Sequence, residues 1–218
     1  MNRSATIAIC AACMLVVLLG GCSRKGPLSV RFTRQVDGEK LAQLPKLNGS
    51  TLLIVDAVFW SDREKVRRIP IARREKTFII GPGAAEMAEK MLLRMFDEVV
   101  EECCLDQVED LARFDFVIRL IHESFDDRML VLPFFSRQKF RVDLGAVVSR
   151  SDGSLLGELE ARGEETFWLI NLAEANPYEG DDRLLAKASK TLNAAVQESL
   201  FRLMDELDSL LASVDQEH

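Results

Sequence analysis

The chain has 218 residues, 29% of them charged and 48% hydrophobic, with a net charge of −7. That length suffices for one domain with a proper core. The acidity argues against nucleic acid as a partner, since gripping a phosphate backbone relies on clustered Lys and Arg.

Residues 1–21 read as a secretion signal. Arg3 gives a basic start, Ala5 to Leu19 is an almost wholly apolar run, and Leu19, Gly20 and Gly21 close it before Cys22. A bilayer-spanning helix needs about 20 apolar residues, and this run is slightly short and ends in two glycines. Leu19-Gly20-Gly21-Cys22 resembles the lipobox of bacterial lipoproteins. That resemblance implies cleavage before Cys22, a diacylglyceryl group on its thiol, and acylation of the new amino terminus. It makes the covalent lipid on Cys22 the one expected prosthetic group, with no cofactor or metal. Acyl chains contribute about 0.8 kcal/mol per buried CH₂, so several on one residue hold firmly. In the family's sorting logic an Asp after the Cys favours the inner membrane. Ser23 therefore points to an outer-membrane anchor facing the periplasm. Cleavage leaves 197 residues, and loss of Arg3 takes the net charge to −8.

Residues 22–50 are polar and broken by Gly26, Pro27, Gly38, Pro45 and Gly49, as in a tether about 30 Å long. Docking of part of it on the body is the alternative. Residues 51–218 form a single domain. Leu52 to Phe59 is a nearly continuous apolar run, expected as an interior strand. A strand pair or irregular hairpin follows over Val66 to Ile80. Between Asp62 and Lys76, seven cations, including Arg67 and Arg68, oppose three carboxylates, a local charge of +4 that suits anionic headgroups or an acidic partner. A solvated hairpin face is the plainer reading.

Gly81-Pro82-Gly83 begins a helix, with Pro tolerated in its first turn. A dinucleotide fingerprint would need Gly where Glu86 stands. Ala88, Met91, Leu92, Met95, Phe96 and Val99 recur at helical spacing and give that helix one apolar face. Cys103 and Cys104 read as two partly buried thiols near its end, without the spacing of a redox pair.

Phe114 to Ile121 is a strand. His122, Glu123, Asp126 and Asp127 offer metal-ligand types, but a zinc-protease helix would need His in place of Asp126, and a solvated loop is expected. Met129 to Phe135 is an apolar stretch followed by Arg137, Lys139 and Arg141. Leu132, Phe134, Phe135 and Arg137 are candidates to contact a lipid surface or protein partner; folding back as a strand or cap is the alternative. Phe140, Val142, Leu144, Ala146 and Val148 alternate with polar residues in a half-buried strand. Ser151 to Ser154 is an Asp-Gly turn, and Leu159 and Ala161 lie on the return strand. Phe167 to Ile170 with Tyr178 is a second aromatic cluster, expected to pack on the last helix. That helix follows Asp181 and Asp182, with its stripe at Leu185, Ala188, Leu192, Ala195, Ser199, Leu203, Leu207 and Leu210.

Strands, helix, meander and helix make an α+β domain in two layers: a mostly antiparallel sheet with two amphipathic helices on one face. A body of this order behind Cys22 resembles the YajG-like outer-membrane lipoproteins. It is broadly similar to auxiliary lipoproteins of envelope transport and lipopolysaccharide assembly. The resemblance implies a non-enzymatic binding, adaptor or envelope-assembly component with an envelope protein or lipid as partner, and brings no catalytic residue. The alternative is a membrane-tethered hydrolase using carboxylates: there is no nucleophile elbow, and His122 is the single interior His.

Overall fold

The computed structural model describes residues 28–31, 34–61, 63–66, 76–131, 135–170 and 180–215. Its strands are β1 (Leu28–Arg31), β2 (Ser50–Ile54), β3 (Arg63–Val66), β4 (Lys76–Ile79), β5 (Glu98–Glu102), β6 (Phe116–Val131), β7 (Phe135–Arg150) and β8 (Leu155–Ile170). The α-helices are α1 (Gly38–Gln43), α2 (Ala57–Ser61), α3 (Gly81–Met95) and α4 (Gly180–Asp215). Five strands form one sheet in the order β5-β2-β6-β7-β8, and three form a smaller one, β1-β4-β3. The domain is α+β and two-layered, with α3, α4 and the small sheet packed over the large one.

The large sheet is mixed, more so than the meander alone suggests, because β2 pairs parallel with both β5 and β6. Parallel neighbours need a long crossover, and residues 55–97 supply it between β2 and β5. β2 is covered on both faces, which is why it reads as an unbroken apolar run. Leu53 and Val55 enter the main core. Leu52 and Ile54 enter a smaller one with Phe114 and Val117, against which Val100, Val108 and Leu111 pack.

The strand stops at Ile54, short of the expected Phe59, because Asp56 caps the next helix. Its Oδ1 accepts the Phe59 N–H at 2.9 Å and its Oδ2 accepts from Arg119 at 2.9 Å. Those bonds, the Phe59 one first, hold the Asp56 carboxyl below the usual range. α3 begins at Gly81 as expected, but ends at Met95. Phe96 is already extended, and Val99 belongs to β5 rather than to the helix stripe. β-branched Val99 and Val100 there face the two cores in turn, as strand residues do.

The three long strands carry most of the pairing. β6 runs far beyond Ile121, with a register shift between His122 and Ser124. Before it, Leu120 pairs inward with Ala146; after it, Phe125 pairs inward with Val142. This bulge inverts the inside–outside alternation. The second half therefore reads as polar loop when the first half's parity is extended. His122, Glu123, Asp126 and Asp127 are strand residues, not a solvated loop.

α4 buries Ala188, Leu192, Ala195, Ser199, Leu203 and Leu207 of the expected stripe. It lies so close to β8 that a Cβ on Gly163 would stand 1.8 Å from the Ala195 carbonyl oxygen. The Ser199 hydroxyl donates to the Ala161 carbonyl at 2.8 Å, and the Glu164 N–H donates to Glu198 at 2.9 Å. Residues 34–50, grouped with the tether by composition, lie against this body. Leu44 is buried, the Leu47 N–H donates to the Met95 carbonyl at 2.6 Å, and Gln35 accepts from Asn193 and Gln197.

Candidate contact surface

Strand parity divides the meander into two faces. Inward, Phe125, Phe140 and Phe167 join Phe78 of β4; Phe78 lies 4.9 Å from Phe125 and 5.3 Å from Phe140, centroid to centroid. Buried Gln138 donates to Asp127 at 2.6 Å on that side. Outward, the rows are Asp126–Arg141–Glu164 and Ser124–Asp143–Arg162. Asp126 and Asp127 therefore point to opposite faces, and cannot converge on one metal.

The outward rows form a charge ladder. Asp143 accepts from Ser124 at 2.6 Å, Arg141 at 2.8 Å and Arg162 at 2.9 Å. Burial would raise its pKa, but the hydrogen bonds from Arg141, Ser124 and Arg162 outweigh burial and bring it to about 2. Lys139 and Glu164 pair at 2.5 Å, as do Arg128 and Asp126. A folded-state pKa below the unfolded value means stability that is present above pH 4 and lost as pH falls towards 2. Asp143→Asn is therefore expected to cost about 1–2 kcal/mol at pH 7. Melting curves of wild type and variant converge as pH falls from 4 to 2. An undiminished gap at pH 2 would show that the charge of Asp143 contributes nothing.

At the open end of the meander this polarity stops. Leu130, Arg137 and Trp168 occupy one outward row, and Phe135 lies beside it. Leu130 is 53% exposed, Trp168 53% and Phe135 41%. The Phe135 and Trp168 rings meet edge to face at 5.4 Å, and the Arg137 guanidinium sits 5.7 Å from the Trp168 ring centre. Arg128 and Lys139 form the next row inward along the sheet. An exposed apolar group with Arg137 beside it is an arrangement suited to contact.

Of the sequence candidates, this surface unites Phe135 and Arg137. Leu132, Phe134, Arg67, Arg68, Cys22, Leu19, Gly20 and Gly21 lie outside the described residues. Residues 129–131 and 135 are strand, as in the fold-back alternative, yet Leu130 and Phe135 remain exposed. Trp168 was expected to pack on the last helix. The strand turns its neighbour Phe167 into the core and Trp168 outward, so the two aromatic stretches meet at one place. Alternation along Thr166-Phe167-Trp168 was the available signal.

The other candidates resolve differently. Cys103 and Cys104 follow β5 rather than a helix, with sulfurs 3.6 Å apart. The bond from Cys103 raises the Cys104 pKa, which disfavours the reactive thiolate. A groove of about 710 Å³ runs between residues 35–40 and α4. Two of its three carboxylates have structural duties: Asp37 caps α1 through the Glu39 and Lys40 N–H groups, and Glu198 accepts from Arg202 and the Glu164 N–H; the third, Glu165, is exposed at the groove's edge on β8. Glu101, pushed up by burial and then by Glu89 and Glu86, does not line it. The cavity within the charge ladder is about 40 Å³, far below the several hundred Å³ of ligand pockets.

No family model and no curated protein matches the chain. A minor lipoprotein from Acinetobacter baumannii is 11% identical, with 74% of this chain and 95% of that one aligned and a TM-score of 0.40. A candidate lipoprotein from Caulobacter crescentus is 15% identical over 45% of this chain and 68% of its own, with a TM-score of 0.33. At these scores neither likeness decides fold or function. Among the described residues, no helix is long and apolar enough to cross a membrane.

Proposed function

We propose that the protein is a lipoprotein anchored through Cys22, whose α+β body works in the periplasm as a non-enzymatic binding or envelope-assembly component. Ser23 favours the outer membrane for that anchor. The observation that carries the contact role is the exposed Leu130, Phe135 and Trp168 group beside Arg137. The carboxylates of the outward sheet face are paired with cations, and Asp37 and Glu198 of the groove are engaged in a cap and hydrogen bonds. A carboxylate hydrolase needs an acid and a base free to exchange protons near neutral pH. Asp143, held at about 2, is not such an acid.

The anchor is tested by growing cells with labelled palmitate. Wild type is expected to incorporate label and lose residues 1–21. Cys22→Ser is expected to incorporate none and to keep its signal. Label in the Cys22→Ser protein would place the acyl group elsewhere and remove the basis of the proposal.

A further inference from the structure

We infer that the open end of the meander rests on an anionic bilayer surface, the same membrane that holds the lipid on Cys22; the shared membrane rests on the anchor reading above. The basis is where the chain leaves the body. Strand β6 runs from Phe116 towards the open end. Phe78 packs at the level of Phe125 and Phe140, whereas Gly81 abuts Phe59, whose helix follows Asp56 and its partner Arg119. From Phe78 to Gly81, then, β4 runs away from the open end. β1 is parallel to β4, with Val30 opposite Phe78. Leu28 is consequently at the end of β1 nearer the exposed group.

Cys22 precedes Leu28 by six residues, which span at most about 20 Å when extended. A bilayer holding Cys22 thus lies within that reach, on the side where Leu130, Phe135 and Trp168 are exposed. Their chemistry matches it. Trp and Phe settle at the headgroup level with their apolar bodies inserted, and Arg and Lys reach the phosphates. Arg137 beside Trp168 supplies the cation; Arg128 and Lys139 in the next row are paired with Asp126 and Glu164 and add no net charge. The mature chain as a whole is acidic, so an anionic surface repels most of the body, and Arg137 beside the exposed rings is the group it attracts. A single contact at one end, with a short connection to the anchor, fixes orientation.

The test uses the full chain carrying Trp60→Phe, purified from bacterial membranes and reconstituted in vesicles, so that Trp168 is the remaining tryptophan. Vesicles contain brominated phosphatidylglycerol or brominated phosphatidylcholine, and mass spectrometry of the amino terminus reports acylation. Trp168 emission is expected to be quenched on phosphatidylglycerol, less on phosphatidylcholine, and less again at high salt. Each cation near an anionic surface contributes about fivefold to contact, so Arg137→Gln should weaken the quenched state by roughly fivefold. Acylated protein with unquenched Trp168 on phosphatidylglycerol overturns the inference, leaves the anchor standing, and assigns the group to a protein partner. Quenching in unacylated protein upholds contact with anionic lipid and removes the anchor. Protein neither acylated nor quenched overturns both.

Discussion

Gly163→Ala is expected to lower the melting temperature by about 10 °C or more, while Gly157→Ala lowers it by a few degrees at most. The two glycines lie six residues apart on β8 under the same helix, but they meet it differently. At Gly163 an added Cβ would be 1.8 Å from the Ala195 carbonyl oxygen and 2.6 Å from the Ser199 amide nitrogen. Both are backbone atoms of α4, which cannot yield without lifting the helix from the sheet. That separation would break the Ser199 to Ala161 bond and loosen Leu192, Val196 and Leu200, all buried. A cost of about 3–5 kcal/mol places it among the severe core overpacking effects. For a domain of this size each kcal/mol is worth about 2–4 °C. At Gly157 the nearest atoms are the Leu210 methyls at 3.1 and 3.2 Å, the flexible end of a side chain. Loss of glycine's freedom in the unfolded chain partly offsets that contact. Thermal denaturation of the two variants compares them directly. If Gly163→Ala melted no lower than Gly157→Ala, the close seating of α4 on β8 would be wrong.

That contact shows why the fold was only partly legible. Hydrophobic periodicity identifies α4 and its buried stripe, because every third or fourth residue meets the same sheet. It cannot say how near the helix sits, since Gly163 carries no side chain to leave a pattern. The bulge at His122–Ser124 defeats periodicity differently: the alternation persists in both halves of β6 but changes phase, so Ser124, Asp126 and Arg128 look like loop. β5 was absorbed into the helix because Val99 falls in step with the α3 stripe. The change of backbone at Phe96 has no sequence mark as strong as glycine or proline. Asp56 is a residue type that caps helices, but the apolar run on either side of it hides the end of the strand. The parallel pairing of β2 with β5 and β6 is a matter of topology, carried by a crossover of about 40 residues. Local patterns hold no record of which strands become neighbours across such a distance.

The contact surface was half legible for a related reason. The stretch around Phe135 stood out because apolar residues beside Arg137, Lys139 and Arg141 are unusual in a connection. Trp168 did not, being 33 positions from Phe135 and embedded in a run that has a core-facing member, Phe167. Only the register of β7 on β8, which puts Arg137 opposite Trp168, joins them. The resemblance of Leu19-Gly20-Gly21-Cys22 to a lipobox, by contrast, is entirely local and needs no fold to be read.

Phe135→Asp combined with Trp168→Asp is expected to abolish contact at this surface while leaving the fold intact. Both rings are largely solvent-exposed on one side, so their removal forfeits the edge-to-face pair and the Arg137 stacking, about 1–2 kcal/mol in all. The melting temperature should fall by only a few degrees. The loss at the contact is much larger. Each aromatic side chain transferred from water into an apolar setting is worth about 1.5–3 kcal/mol, and each introduced carboxylate must be desolvated or left facing anionic headgroups. Together these amount to at least a hundredfold loss of occupancy. A photoreactive amino acid placed at Leu130, itself 53% exposed in the same row, reads that occupancy in intact cells whichever molecule is touched. Wild type should give abundant lipid adducts, and the double variant almost none at equal acylation of Cys22. Equal adduct yields in the two proteins, with the double variant still folded, would show that the exposed aromatic pair is not where this body meets its surroundings.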